Sequence, residues 1–332
     1  MFLRGNRAHS NGRIGFAIFN RIGTEHQFIG CSTYEPRADP LNWRSLLVPV
    51  TISNLTAYKN KDVNIRSRIR TSIWTDIHLA ESRVGFHFYR NTFDGYQLLK
   101  DSVIVGDTPN IGNFFKWRRP SDGWWTYDAP RSLPRYWEPD MMISGVEIQA
   151  EGPSKLQNVV FKNFKHTWYR NETAIMWPDS HFHMNGASTS SEGLSFNYAD
   201  PEEGFYMYEN NDREREADFS YSMRDLDGSL TGTAGTTSVH PGQYFEEGQE
   251  CTAKEGWNMD VCEATFAKVF IRHHLGNRYE DTFMIDKNTG DVIYNNDIVG
   301  SYDMVTGEDR YVLNWNKTMD NRVFVNVLGL ET

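Results

Sequence analysis

Short segments in which apolar and polar residues alternate recur along the first two thirds of the chain. Such alternation is typical of strands with one buried face. Asn and Gly stand at the segment ends, and no long amphipathic helical stripe separates the segments. This pattern predicts an all-β fold, a right-handed parallel β-helix over residues 1–242. A β-sandwich is the alternative, and it requires more hairpin turns. The segments are 52–60, 74–80, 99–106, 156–163, 193–197 and 219–225.

The pattern changes after a segment rich in turn formers, residues 232–242. Short apolar stretches at 283–286 and 292–294 flank a Lys-Asn-Thr-Gly turn, and further stretches follow at 311–313 and 323–327. Hairpin-like patterns of this kind predict antiparallel strands. We therefore predict a small antiparallel β-domain over residues 243–332, which would cap the last coil of the helix.

An aromatic and basic insertion interrupts the repeat at residues 114–137. Aromatic rings stack on sugar rings, and guanidinium groups pair with carboxylates, so the insertion is predicted to bind an acidic polysaccharide. The alternative is a long loop whose aromatic residues pack as a satellite core. The predicted substrate-binding residues are Trp117, Arg118, Arg119, Trp124, Trp125, Arg131, Arg135 and Trp137.

Composition excludes two classes of function. The formal net charge is -10, whereas a nucleic-acid-binding surface needs a broad excess of Lys and Arg. No apolar run approaches the length that spans a bilayer. Hydrophobic residues make up 39% of the chain, enough for a folded core.

Sequons and cysteines favour an extracellular protein. N-x-Ser/Thr sequons occur at Asn54, Asn171 and Asn316, and Cys251 and Cys262 have the spacing of a local disulfide. The alternative is a cytosolic protein with three reduced cysteines. The first residues do not form a signal peptide, so the chain is expected to be part of a longer protein.

The segment Asp225-Leu226-Asp227-Gly228-Ser229 carries the first candidate for chemistry. Two carboxylates two residues apart point to one face of a strand, where they would hold Ca²⁺ or act as acid and base on a glycosidic bond. The alternative is a turn in which the aspartates cap backbone N–H groups.

A second candidate is the pair His181 and His183, which would share one face of a strand. Such a pair suits a transition metal or acid–base catalysis. The alternative is two surface histidines, since H-x-H pairs are common by chance.

Three motifs resemble a family of parallel β-helix proteins that includes cell-surface hyaluronidase-like proteins, a hyaluronan-binding protein of cell migration and fibrocystin-L. Residues 224–232 resemble its D-x-D-G-S-x-T-G signature. Residues 5–11 resemble its G-N-x-A-H-S-N coil. Cys251, Trp257 and Cys262 resemble its C…W…C segment.

The resemblance implies an extracellular β-helix with hyaluronan or a related glycan as its ligand. In some members it also implies divalent-cation-dependent cleavage of that polymer. Three hypotheses follow: a glycan-binding ectodomain, an enzyme of the hyaluronidase type, or a structural and adhesive scaffold with protein partners at the cell surface. Binding is preferred, because paired carboxylates of defined geometry are not visible in the sequence. The expected cofactor, if any, is Ca²⁺.

Overall fold

A computed structural model gives the structure of the chain. The residues that it describes are 2–18, 21–22, 28–29, 33–42, 44–89, 95–108, 115–118, 125–128, 143–149, 152–164, 172–177, 189–197, 221–240, 250–257, 259–273, 282–286, 292–295, 302–306, 311–315 and 323–328.

Almost all regular structure in these residues is β-strand. The first strands are β1 (Phe2–Arg4), β2 (Arg7–His9), β3 (Ile14–Ile18), β4 (Arg21–Ile22), β5 (Phe28–Ile29), β6 (Val50–Tyr58), β7 (Val63–Ser67), β8 (Thr71–Ala80), β9 (Val84–Tyr89) and β10 (Tyr96–Val105). They are followed by β11 (Phe115–Arg118), β12 (Trp125–Asp128), β13 (Ile143–Gln149), β14 (Ser154–Lys162), β15 (Glu172–Met176), β16 (Thr189–Glu192), β17 (Ser195–Asn197), β18 (Tyr221–Asp225) and β19 (Thr237–His240). The last are β20 (Cys251–Lys254), β21 (Met259–Cys262), β22 (Phe266–His273), β23 (Thr282–Asp286), β24 (Val292–Asn295), β25 (Tyr302–Thr306), β26 (Tyr311–Trp315) and β27 (Val323–Leu328), with a 3-10 turn at Glu255–Trp257.

Two parallel sheets form the coils of the β-helix. In the first sheet the order is β1-β6-β8-β10-β14-β16-β18, and in the second it is β3-β7-β9-β13-β15. The chain passes from the first sheet to the second in successive coils, as when β6 leads into β7 and β8 into β9. All six predicted segments contain strands of the first sheet. The all-β class, with parallel coils followed by antiparallel strands, is confirmed.

A column of residues in the left-handed conformation crosses the first sheet. The column contains Gly5, Asn54, Asp76, Asp101, Asn158 and Gly193, with φ between 48° and 73°. The register places these residues beside one another in successive strands. Each left-handed residue adds one outward-facing position, so that two residues instead of one separate the buried residues on either side. In β6, Ser53 and Asn54 separate Ile52 and Leu55, which are both buried. A Cβ atom at Gly193 would lie 2.2 Å from Asn158 Oδ1, so a larger residue there would require the Asn158 side chain to move.

The core lies between the two sheets. Trp74 of β8 is fully buried, and its ring packs edge-to-face against Phe86 of β9 and Phe16 of β3. Leu99, Leu156 and other apolar residues of the first sheet extend this core along the coils. Because each coil buries its apolar face against the next, the coils are stable only as a stack.

The antiparallel part begins at the last coil. β19 pairs with β18, β21 with β19, and β20 with β21. The predicted disulfide between Cys251 and Cys262 is present, and it joins residues directly opposite each other in β20 and β21. The first sheet therefore extends to residue 262, beyond the predicted domain boundary at 242, which stays a prediction.

The remaining strands form two three-stranded antiparallel sheets, β25-β22-β27 and β24-β23-β26. The predicted hairpin at 283–294 corresponds to β23 and β24, which pair with each other. The stretches at 311–313 and 323–327 are strands, but they lie in different sheets: β26 pairs with β23, and β27 with β22.

Candidate functional site

The outer face of the second sheet carries three polar side chains at matched positions of adjacent strands. Arg66 of β7 pairs in register with His87 of β9, and His87 pairs with Glu147 of β13. The residues that flank His87 and Glu147 in their strands belong to the buried core. Because side chains alternate along a strand, the three polar residues point away from that core. We call them the Arg–His–Glu row.

Hydrogen bonding and charge connect the row. Arg66 Nε donates a hydrogen bond to His87 Nδ1 at 3.3 Å, and His87 Nε2 lies 3.4 Å from Glu147 Oε1. Arg66 is half-buried, whereas His87 and Glu147 are only 2% and 5% exposed. The row therefore presents its arginine to solvent and keeps the other two groups behind it.

Further charged and aromatic groups surround the row. Arg83 binds Asp62, with Nε 2.8 Å from Oδ1, and lies 3.8 Å from Glu147. The guanidinium groups of Arg66 and Arg68 lie 5.3 and 5.2 Å from the centre of the Tyr89 ring. Arg68 is buried, whereas Arg66 and Tyr89 are half-buried, so the surface here combines one guanidinium group with an aromatic ring, which is the chemistry that the sequence predicted for the insertion.

Arginines outnumber carboxylates among the charged groups named around the row. Three arginines at 66, 68 and 83 stand against the carboxylates of Asp62 and Glu147. Burial lowers the pKa of Arg66, and the nearby carboxylates of Asp62 and Glu147 act in the opposite direction. The Arg66 side chain stays charged at neutral pH, because an arginine keeps its proton in proteins. A partly desolvated cation of this kind interacts more strongly with an anion than a fully hydrated one.

The signature segment around Asp225 forms a tight turn between β18, the last parallel strand of the first sheet, and β19. Asp225 is fully buried. Its Oδ2 accepts hydrogen bonds from the N–H groups of Leu230 and Thr231 at 2.9 and 2.7 Å, and its Oδ1 accepts one from Gly228 at 3.1 Å. The Thr231 hydroxyl lies 2.9 Å from Oδ2. This carboxylate therefore organises the turn by accepting hydrogen bonds from backbone N–H groups.

Asp227 and Ser229 of the same turn contact the preceding coil. Asp227 Oδ2 accepts a hydrogen bond from the N–H of Gly193 at 2.7 Å, and Ser229 Oγ accepts one from Leu194 at 2.9 Å. Asp227 is exposed and lies beside Gly193 in the register of the coils. The signature thus joins the last parallel coil to the coil before it.

The turn does not suit a cation at Asp225, because hydrogen-bond donors already surround both oxygens of that carboxylate. Within the described residues, no group of three or more His, Cys, Asp and Glu side chains is arranged so that it could hold a metal ion. The catalytic and calcium-binding roles predicted for Asp225 and Asp227 stay predictions.

Asp227 is expected to make stability depend on pH in the acid range. Hydrogen bonds from Ser229 and Gly193 lower the pKa of this carboxyl group in the folded protein. A lowered pKa stabilises the fold above the ordinary aspartate value of about 4, and this contribution disappears as the pH falls through the folded-state value. Asp227→Asn should therefore be less stable than the wild type at pH 7, by under about 1 kcal/mol because the group is exposed.

Urea unfolding of both proteins at pH 7, 5, 4 and 3 measures this difference. The two unfolding midpoints should converge as the pH falls. A difference that persists at pH 3 would mean that the Asp227 charge is not its origin.

Most residues of the predicted insertion site lie outside the described residues, as do His181 and His183, Asn171 and Asn316. Trp117, Arg118 and Trp125 lie in β11 and β12, which form an antiparallel hairpin with Arg118 opposite Trp125. The predicted glycosylation residue Asn54 is exposed and belongs to the left-handed column. The residues outside the described part are Arg119, Trp124, Arg131, Arg135 and Trp137.

The sequence interpretation did not find the Arg–His–Glu row. Its members lie 21 and 60 positions apart in the chain, and strands β9 and β13 lack the alternation on which the prediction rested. One signal was present: His87 and Glu147 each stand alone between apolar neighbours, where a polar residue needs a partner.

Comparison with known proteins gives curated relatives of two kinds. The chain is 26% identical over 293 residues to "Cell migration-inducing and hyaluronan-binding protein" of Mus musculus, an alignment that covers 80% of this chain and 21% of that protein. It is 24% identical over 289 residues to "Cell surface hyaluronidase CEMIP2" of Homo sapiens and 23% identical over 290 residues to "Cell surface hyaluronidase" of Danio rerio, with 80% of this chain and 20% of each relative covered. No protein-family model matches the chain.

These matches confirm the resemblance drawn from the three motifs. The chain spans about a fifth of the length of the curated relatives it matches. Among the described residues, none forms a helix of the length and apolar character needed to cross a membrane.

Proposed function

We propose that the protein acts outside the cell as a glycan-binding β-helix whose ligand is hyaluronan or a related acidic polysaccharide. The observation that carries the proposal is the half-buried Arg66 guanidinium beside the Tyr89 ring on the outer face of the second sheet. The names of the relatives, which refer to hyaluronan binding and to hyaluronidase, support this class of ligand. The disulfide between Cys251 and Cys262 supports the extracellular location.

The chemistry of an acidic polysaccharide matches this surface. Each acidic sugar offers a carboxylate, which a guanidinium group recognises through two parallel hydrogen bonds. The apolar face of the ring offers C–H groups that pack on an aromatic side chain such as Tyr89. A parallel β-helix suits a long polymer, since its coils form an extended surface. We assign the same role to the tryptophans and arginines of the insertion at 114–137, as a prediction.

Divalent-cation-dependent cleavage of the same polymer is the second candidate. The observation that favours it is the His87–Glu147 pair, because an imidazole held by a carboxylate is a common acid–base arrangement. Both groups are nearly buried, and both ring nitrogens of His87 already contact protein groups. Hydrolysis by the usual routes also needs two carboxyl groups roughly 5 to 10 Å apart around the scissile bond. Binding is therefore the preferred function.

Arg66→Ala is expected to weaken binding of long-chain hyaluronan by about tenfold, since a central arginine contact contributes more than 1 kcal/mol. The matched control is Arg7→Ala, which removes the same charge from an exposed position on β2 of the first sheet and should change affinity less than twofold. Light scattering coupled to size-exclusion chromatography, with and without Ca²⁺, reports both complex formation and polymer length.

Each result has a distinct meaning. Comigration with intact polymer supports binding, whereas polymer that shortens with time establishes the enzyme. Equal affinities of the Arg66 and Arg7 variants for hyaluronan would mean that the ligand does not bind to the second sheet at Arg66. If the polymer neither comigrates nor shortens, the glycan proposal fails and a structural or adhesive role takes its place.

A further inference from the structure

We infer that His87 is a positioning residue that orients Arg66 to read the carboxylate of the glycan, so that this face selects acidic over neutral polysaccharide. The inference rests on the proposed function and deepens it, because it assigns the selectivity to one hydrogen bond within the Arg–His–Glu row. His87 itself does not touch the ligand.

The hydrogen bonds of the row determine which nitrogen of His87 carries the proton. Arg66 Nε is always a donor, so His87 Nδ1, 3.3 Å away, must offer its lone pair. In the neutral ring the proton then lies on Nε2, which points toward Glu147 Oε1 at 3.4 Å. The three groups form one directed chain in which Glu147 orients His87 and His87 orients Arg66.

Burial separates the roles of the three residues. His87 and Glu147 are 2% and 5% exposed, so a polymer on the outer face cannot reach either group. Arg66 and Tyr89 are half-buried and meet solvent. A ligand carboxylate would therefore contact the guanidinium, whose direction depends on the residues behind it.

Every described element that packs against His87 supports this arrangement. Arg66 faces the ring from β7 and Glu147 from β13, while Tyr89 of the same strand packs edge-on with ring centroids 5.0 Å apart. Arg83 reaches the far oxygen of Glu147 at 3.8 Å and also binds Asp62. The imidazole thus contacts Arg66, Glu147 and Tyr89 on three sides.

The Arg66 side chain loses a directional contact if His87 loses its acceptor. The Arg66 guanidinium and a ligand carboxylate still attract each other without that hydrogen bond. A guanidinium group that is not held in one orientation, however, forms fewer pairs of parallel hydrogen bonds with the carboxylate. The interaction with the carboxylate should therefore weaken, while packing of the sugar ring against Tyr89 should not. This difference distinguishes positioning from general support of the fold.

The test uses two hyaluronan oligosaccharides of equal length, one native and one with its carboxyl groups reduced to alcohols. Calorimetry gives the Kd of each for the wild type, His87→Leu and His87→Asn. Leu and Asn have nearly the same shape, but only Asn keeps an acceptor close to the position of Nδ1. The ratio of the two Kd values measures selectivity for the acidic ligand.

For the wild type we expect about tenfold tighter binding of the acidic oligosaccharide, the equivalent of one charge-assisted contact. His87→Leu should lower that ratio about fivefold and leave the Kd of the neutral oligosaccharide unchanged, since a single hydrogen bond is worth about 1 kcal/mol. His87→Asn should restore most of the ratio. If His87→Leu does not fold, His87→Phe serves as the second variant, because it keeps a flat ring but has no acceptor at the position of Nδ1, and it should lower the ratio by a similar factor.

Three results would overturn the inference. A ratio that is the same in the Leu and Asn variants as in the wild type means that His87 does not orient Arg66. Equal weakening of both oligosaccharides by His87→Leu means that His87 has a structural role only. If the wild type binds both oligosaccharides equally, the proposed function stands but the selectivity is refuted. If the wild type binds neither oligosaccharide, both the proposed function and this inference fail.

Discussion

Replacing Asp225 with alanine is expected to lower the free energy of unfolding by about 3 to 5 kcal/mol. The carboxylate is fully buried and accepts hydrogen bonds from the N–H groups of Gly228, Leu230 and Thr231 and from the Thr231 hydroxyl. Alanine would leave several of these donors without an acceptor, and each buried donor left unpaired costs roughly 1 kcal/mol or more. The turn that ends the parallel coils should therefore open.

The matched control for this variant is Asp227→Ala, the same chemical change two positions later on an exposed side chain. It removes the contacts with Gly193 and Ser229 and should lower the free energy of unfolding by about 1 kcal/mol or less. Urea unfolding followed by tryptophan fluorescence at pH 7 measures both variants. If Asp225→Ala proved as stable as Asp227→Ala, the turn would not depend on the buried carboxylate, and a chemical role for Asp225 would regain support.

Trp74→Ala is expected to have an effect of similar size, a loss of about 3 to 5 kcal/mol. Trp74 belongs to the first sheet, and its fully buried ring packs edge-to-face against Phe86 and Phe16 of the second sheet, with centroids 5.1 and 6.0 Å apart. Its indole N–H donates a hydrogen bond to Ser72 Oγ at 3.0 Å. Alanine would leave a large cavity at the point where the two sheets meet.

Trp74→Phe separates the packing from the hydrogen bond. It keeps an aromatic ring between the sheets and loses the indole N–H, so we expect a loss of about 1 to 2 kcal/mol. Leu46→Ala, at a side chain that is 77% exposed, should change stability by less than about 0.5 kcal/mol. Thermal unfolding followed by circular dichroism compares the three variants. If Trp74→Ala unfolded at the temperature of Leu46→Ala, the aromatic contact would not hold the sheets together.

The alternating pattern was enough to predict the first sheet because that sheet has one face in the core and one in solvent. In β8 the buried residues include Trp74, Ile77 and Leu79. The interval of three between Trp74 and Ile77 breaks strict alternation, and the left-handed residue Asp76 accounts for it. The left-handed residues Asn54, Asp76, Asp101 and Asn158 thus lie inside the predicted segments and not at their ends, at the point where the alternation shifts.

The second sheet gave no such pattern, because most side chains on both of its faces are buried, and Arg66 and Tyr89 are exceptions that are half-buried. Five residues of β9, from Val84 to Phe88, are all buried, as are all five of β15. A short apolar run without alternation can belong to a strand or to a buried helix segment, so periodicity alone could not assign it. The topology, in which β9 follows β8 and β15 follows β14 of the first sheet, resolves the ambiguity.

The sequence by itself determined the all-β class, the parallel coils, the antiparallel end, the disulfide and the resemblance to hyaluronan-related proteins. These properties depend on local periodicity, on spacing and on short motifs, which are all written along the chain. Only the tertiary structure decided that Asp225 is enclosed by hydrogen-bond donors and that Arg66, His87 and Glu147 stand side by side. Parallel register brings together residues that are distant in the chain, and burial determines how strongly each charged group interacts with its neighbours. Register and burial both arise only when the coils stack.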